Sequence, residues 1–228
     1  MTATKRVLTE WQNRIVAEYG SAGLTAQVLH WMVQAAFPDE LQRTAIRIVG
    51  DELDHAHLSH QCWVDLGGSG DAMSMDARSM QMPSQEGILA SLLDSVLRNF
   101  CFGETFAVPL FAAMRAQTTH PAAHPVLDRV LRDEAVHRAF GWDALDVLLE
   151  MDPDGVRSRA NEVVPNFVVN FHRAYGMAQL GHPLTDEERS MGLLDAVDYR
   201  RIHEETLDND IRRRFAKRGI SLPQKVEY

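Results

Sequence analysis

The pattern Asp-Glu-x-x-His occurs twice in this chain, as Asp51-Glu52-Leu53-Asp54-His55 and as Asp133-Glu134-Ala135-Val136-His137. Both copies fall in stretches whose apolar residues recur with helical periodicity. Residues at i and i+3 share a helical face, so Glu52 points the same way as His55, and Glu134 the same way as His137. Random placement of the chain's acids and histidines would give roughly 0.05 such pentads. Each copy follows, one helix later, an isolated glutamate in an otherwise apolar segment: Glu18 before the first and Glu104 before the second.

This pairing constrains the fold. Glu104 stands among Phe100, Phe102, Phe106, Leu110 and Phe111, where an unpaired carboxylate is costly. Four glutamates and two histidines from four helices make sense if they converge on two cations. Hard cations favour carboxylate oxygen, and imidazole adds a nitrogen that suits iron or manganese. The expected ligands are Glu18, Glu52, His55, Glu104, Glu134 and His137. A bundle with one Glu from each of two helices and Glu-x-x-His from the other two is the di-iron carboxylate arrangement. Asp51 and Asp133 are read as acceptors for the other ring N–H of the ligand histidines, Asp51 for His137 and Asp133 for His55. His57 and His60 are read as bystanders.

The pattern along the chain is all-α. A first helix is predicted from Thr9, with Gln12 at capping-box spacing, to Pro38. A second runs from an Asp39 cap to Gly67-Gly68. Residues 67–83 read as a long crossover. A third helix spans Ser84 to about Thr118, with a kink expected at Pro109. A fourth runs from Pro125 to Met151. Two further helices are expected over 155–179, with Pro165 as a kink, and from a Thr185/Glu188 capping box to Gly219, interrupted near Gly192. Two tight hairpins joined by one crossover describe a four-helix bundle over 9–151 with additional C-terminal helices over 155–219, all in a single domain of 1–228.

Hairpin register gives a finer test. The midpoint of Glu104 and Glu134 is residue 119, at the predicted turn. The midpoint of Glu18 and Glu52 is residue 35, three residues before Pro38, an offset of about 4–5 Å. Glu18 is nevertheless the only acid between Glu10 and Asp39.

Composition narrows the function classes. A net charge of −9 argues against nucleic-acid binding. No apolar run is long enough for a membrane span, and the first ten residues carry no apolar core of a secretory signal. Two cysteines, Cys62 and Cys101, make no disulfide framework, so a cytoplasmic location is expected. No Cys-x-x-Cys is present, which leaves no rubredoxin-like iron centre.

The residues Glu18, Glu52-x-x-His55, Glu104 and Glu134-x-x-His137 resemble the ligand set of the ferritin-like di-iron carboxylate superfamily. That superfamily includes bacterioferritins, ribonucleotide reductase small subunits and bacterial multicomponent monooxygenases. The resemblance covers residues 9–151. The segment Val130-Leu-Arg-Asp-Glu-Ala-Val-His-Arg-Ala-Phe-Gly141 and the spacing 52→104→134 are similar to aldehyde-deformylating oxygenases; the subgroup stays open. The resemblance implies two iron ions, with Mn/Fe or Mn/Mn as alternatives, and O2 as co-substrate. Two activities are expected from it: an O2-activating oxidase or oxygenase acting on a small organic substrate, or a ferroxidase that handles iron alone.

About 75 residues follow the fourth helix, enough to cover one bundle end and shape a pocket. Trp31, Phe102, Phe106, Phe111 and Phe171 are candidate walls, with Cys101 at i−3 from Glu104. Electrons would come from an external ferredoxin or reductase. The basic run Arg212, Arg213, Arg214, Lys217 and Arg218, with Arg200 and Arg201, is a candidate docking surface for an acidic partner. A homodimer is the expected assembly.

Overall fold

The computed structural model describes residues 3–74, 81–176 and 183–223. It is a helical bundle, and the described residues contain no strand. The expected segments 75–80 of the crossover and 177–179 of the fifth helix lie outside the described residues.

Helix α1 spans Lys5–Gln34 and α2 spans Asp39–Asp65. The long third rod has three parts: α3 (Ile88–Ser95), a π-helical stretch (Val96–Glu104), and α4 (Thr105–Gln117). Helix α5 spans His124–Met151 and α6 spans Pro153–Phe171, which continues into a π turn at His172–Gly176. The C-terminal part has α7 (Asp186–Ser190), α8 (Ala196–Thr206), a π turn (Leu207–Ile211) and α9 (Arg212–Ala216).

Local chemistry sets these boundaries. The first helix begins before Thr9, because Thr4 accepts the Val7 N–H and supplies the cap. It ends before Pro38, in a turn where Phe37 N–H reaches the Met32 carbonyl (3.0 Å) and Ala36 N–H reaches Val33 (3.2 Å). That double closure needs a left-handed residue, and here Ala36 adopts it at φ 51°. The α1–α2 turn is therefore centred between Ala36 and Phe37. The register offset of Glu18 against Glu52 shrinks to about 2 Å, which a glutamate side chain absorbs. Pro38, not Asp39, occupies the cap of α2, leaving Asp39 and Glu40 in its first turn where the helix dipole favours them. Helix α2 closes in the same way as α1, with Gly67 at φ 103°. The third rod starts at Ile88 rather than Ser84, after Gly87 at φ 109°. Helix α6 starts at Pro153, capped by the Asp152 carboxylate on the Gly155 N–H (3.0 Å).

Helices α1, α2, the α3–π–α4 rod and α5 enclose one core. Trp11, Ile15, Met32, Ile48, Leu97, Phe100 and Phe140 belong to it, all essentially inaccessible to solvent. Each such side chain contributes about 1.5–3 kcal/mol by leaving water.

The predicted sixth helix is not continuous. Thr185 and Glu188 do form the capping box, but α7 stops at Ser190 and the chain turns at Gly192 (φ 97°) before α8. This turn is fastened to one end of the bundle. Trp11 Nε1 donates to the Met191 carbonyl (2.9 Å), and the Thr119 and His120 N–H groups donate to the Ser190 carbonyl. Thr4 donates to Glu188 (2.8 Å). The C-terminal segment thus covers the bundle end where α1 begins and α4 meets α5.

Candidate metal centre

The inward faces of the four bundle helices bring six predicted residues together. One atom each from Glu18, Glu52, His55 and Glu134 lies within 4.8 Å of the others, and so does one atom each from Glu52, Glu104 and His137. All six are buried.

The detailed pattern is symmetric. Glu52 turns Oε2 to His55 Nδ1 (3.6 Å) and Oε1 to His137 Nδ1 (3.4 Å). Glu134 turns Oε1 to His55 Nδ1 (3.7 Å) and Oε2 to His137 Nδ1 (3.4 Å). Both glutamates therefore span two half-sites. Glu18 belongs to the His55 half, with Oε2 3.7 Å from Nδ1, and Glu104 belongs to the His137 half.

The outer ring nitrogens face away from the cluster. His55 Nε2 lies 3.2 Å from Asp133 Oδ2, and His137 Nε2 lies 3.5 Å from Asp51 Oδ2. This is the crossed arrangement read from the sequence. With each Nε2–H directed at an aspartate, each Nδ1 is left as the lone-pair nitrogen toward the glutamates.

Those inner atoms lack hydrogen-bond partners: His55 Nδ1, His137 Nδ1, Glu52 Oε2 and Glu134 Oε2 are buried and unpaired. Buried polar atoms are nearly always satisfied, so four orphans facing one another need an explanation. Separations of 3.4–3.7 Å exceed normal hydrogen bonds. They suit atoms that each sit about 2.1 Å from a shared ion. Two divalent cations would neutralise four carboxylates. The residues present fit a two-metal site.

Electrostatics without cations gives the same account. Burial pushes Glu18 up to about 7, and the charge of Glu52 adds to it. Burial also holds Glu104 and Glu134 well above the carboxylate range, with repulsion from Glu134 and Glu52 respectively. Glu52 goes the other way: the two histidines overcome burial and hold it low. His55 resists burial and rises to about 10 because Glu18 and Glu52 stabilise its proton. Protons occupy the positions that cations would fill.

Three residues were missed at the sequence level. Arg129 on α5 contacts Asp133 through Nε and Asp51 through Nη2 (3.1 Å), tying together the aspartates behind both histidines. Against the effect of burial, Arg129 and Arg132 hold Asp133 down to about 2. The signal was there: Arg129 lies one turn before Asp133. Ser21 donates to Glu52 Oε1 (2.9 Å), one turn after Glu18. Arg14, one turn before Glu18, is a buried cation on the same inward stripe.

A cavity of about 380 Å³ leads to the cluster. Its floor is Glu18, Glu52, Glu104 and Glu134, and its walls include Ala17, Phe106, Leu110, Phe111 and Met114. Asn13 and Ala17 are exposed on α1, so the cavity opens there.

Several pocket expectations need correcting. Cys101 does not line this cavity; its Sγ lies against the Gly141 carbonyl (3.4 Å) inside the helix packing. The reason is the π-helical stretch, whose wider turn rotates an i−3 residue away from the face of Glu104. Phe102 and Phe171 stack on each other (5.4 Å) behind Phe106 rather than on the wall. Trp31 is core. Phe106 and Phe111 do line the cavity. Neither His57, bonded to the Leu53 carbonyl, nor His60, beside Trp63, joins the cluster.

The basic C-terminal residues are largely engaged within the chain. Arg212 meets Asp208 and the Pro223 carbonyl, and Arg213 and Arg214 meet Asp210. Arg218 grips Asp146 and, like Arg214, lies over Trp142. Among the described residues no helix is long and apolar enough to cross a membrane.

The class of site is therefore a buried carboxylate–imidazole cluster able to hold two metal ions in a helical bundle. A scan against protein-family models found no match, and searches of curated proteins and of solved structures found none.

Proposed function

We propose that this protein is a dinuclear non-haem iron enzyme of the ferritin-like kind, an O2-activating oxidase or oxygenase acting on a small organic substrate. The observation that carries this reading is the cavity. A chamber walled on one side by Phe106, Leu110, Phe111 and Met114, with Asn13, Ser21, Asn99 and Tyr199 also in its lining, ends on the four glutamates, and its size falls within the range of small-molecule sites, about 300–1,000 Å³. Handling iron alone gives no use for the aromatic and aliphatic part of that wall.

In this reading Glu18 and His55 would hold one ion and Glu104 and His137 the other, with Glu52 and Glu134, whose oxygens face both histidines, available to each. A pair of ferrous ions supplies two electrons for the reduction of dioxygen. The chain's own groups do the rest. Asp133 and Asp51 fix the tautomer and ring angle of the histidines, and Arg129 holds both aspartates in place. Ser21 orients Glu52. Phe106, Leu110 and Phe111 give the space beside the cluster an apolar wall against which an organic substrate can pack. In this reading electrons come from a separate ferredoxin or reductase.

The test is anaerobic loading with Fe(II) followed by an O2 pulse. Oxygen uptake, with a transient absorbance whose decay is accelerated by an organic compound, supports the proposal. Stoichiometric conversion to ferric mineral, indifferent to organic additives, replaces it with the ferroxidase reading.

A further inference from the structure

Over its 24 residues from Trp11 to Gln34, helix α1 has two charged side chains, Arg14 and Glu18, and both are buried. Helix α2 has eight in 27 residues and α5 has nine in 28. At the chain's 24 % of charged residues, about six would fall in that part of α1. Yet α1 is not enclosed. Asn13, Val16, Ala17, Ala26 and His30 are exposed, and a Cβ at Gly20 would meet nothing within 4 Å. Asn13, Val16, Gly20, Leu24 and Gln27 recur at intervals of three and four, so they form one stripe, on the side of α1 opposite Glu18.

The stripe continues onto α2. Thr44 and Arg47 share a groove with Val136 and Phe140 of α5, and Asp51 meets Arg129, so these three mark the α5 side of α2. Ile46, Leu53 and Val64, seven and eleven residues apart, follow the other flank, beside α1. All three are exposed, Ile46 by 58 %. Among the described residues no Asp, Glu, Lys or Arg is exposed on α1 after Glu10, and none stands on this α2 stripe.

That missing charge selects the partner. A protein or an anionic membrane that docks by charge finds nothing to pair with here. Depletion of charged residues instead marks the centre of an interface between proteins. The chain carries −9, so two copies repel unless the surfaces that meet are uncharged, and this face meets that condition. Its size fits as well. From Gln12 to Gln34 α1 runs about 33 Å, and two helices side by side present a width of roughly 20 Å. The resulting area of about 700 Å² per copy is close to the roughly 800 Å² per partner of a standard interface.

We propose that the outer face of α1, with the adjoining flank of α2, packs against the same face of a second copy of this chain about a twofold axis. Asn13 and Ala17 stand at the edge of this face and also line the cavity, so the second copy borders its mouth.

Sedimentation equilibrium of the full-length chain between about 1 and 100 µM tests the assembly. The expected particle has twice the chain mass of 25.7 kDa. Val16→Glu and Ile46→Glu should each raise the dissociation constant about tenfold or more, because in a twofold interface each substitution enters twice and buries an uncompensated carboxylate both times. Met151→Glu adds the same charge at an exposed site on the end of α5 and should leave the constant unchanged. Hydroxyl-radical footprinting of the wild type at both concentrations needs no variant: Val16, Ile46 and Val64 should lose reactivity on association, while exposed Met151 and Val197 keep it. A wild type that stays monomeric at the upper concentration overturns the inference and leaves the face to an uncharged partner of another kind. A dimer whose constant moves no more in Val16→Glu and Ile46→Glu than in Met151→Glu overturns it too, as does protection confined to Met151 and Val197.

Discussion

Gly141 is where a single methyl group should disturb both the fold and the metal site. It lies on α5 against the π-helical stretch that ends at Glu104. A Cβ at this position would stand 2.4 Å from Phe100 Cβ, 3.0 Å from the Phe100 carbonyl carbon and 3.2 Å from Cys101 N. Carbon atoms settle about 3.5–4.0 Å apart, so Gly141→Ala must part the two helices by at least about 1 Å. No flexible side chain can yield, because the opposing atoms are backbone and a Cβ. Overpacking of this kind costs about 1–3 kcal/mol. The better helix propensity of alanine recovers up to about 1 kcal/mol. A net loss of about 1–2 kcal/mol lowers Tm by about 2–8 °C in a chain of this size. The same shift moves Glu104 relative to His137 and should weaken the second iron more than the first. Gly50→Ala is the control: it is helical and has nothing within 4 Å of an added Cβ. It should raise Tm slightly. Calorimetry and anaerobic iron titration of both variants test the argument, which fails if Gly141→Ala melts like Gly50→Ala and still binds two equivalent irons.

Other expected outcomes concern charge. In the metal-free protein Glu18 is neutral up to about pH 7, against an ordinary carboxylate value of 4.5. A raised carboxylate adds stability that is complete below the unfolded value and is lost as pH rises through the folded one. The raised His55 loses its contribution in the same direction above about pH 6.5. Urea unfolding of the metal-free protein should therefore show stability falling from pH 5 to pH 8, with up to about 3 kcal/mol from Glu18. The iron-loaded protein should lack this fall, and an equal slope in both forms counts against the cluster. Arg129→Met should weaken both irons about 10–100-fold in chelator competition, because the aspartates behind both histidines lose their anchor. Arg129→Lys should recover part of the loss; unchanged affinity in Arg129→Met removes the positioning role. His137→Ala should leave at most one iron per chain by elemental analysis.

The duplicated pentad made the site legible because a helix maps i and i+3 onto one face whatever surrounds it. Glu18 and Glu104 were legible because carboxylates are rare on apolar stripes. The crossed Asp–His pairing followed from the pseudo-twofold relation of the two copies. What escaped was mostly non-local or non-α. The π-helical stretch leaves the apolar pattern almost unchanged, so the angular position of Cys101 came out wrong. The left-handed Ala36 gave no signal, since alanine rarely adopts that conformation, and it decides the α1–α2 register. Arg129 lies one turn from Asp133, but its second contact, with Asp51, exists only once α2 packs on α5. The break at Gly192 was visible as a glycine. Its purpose, presenting a carbonyl to Arg14, depends on a contact 178 residues apart.

The central claim is that Glu52 and Glu134 bridge two cations. Anomalous diffraction at the iron edge, from crystals grown anaerobically with Fe(II), tests it most directly. The account predicts two peaks per chain, about 3.5–4 Å apart, one beside His55 and the other beside His137. A single peak, or iron only at surface carboxylates with the interior empty, would contradict it.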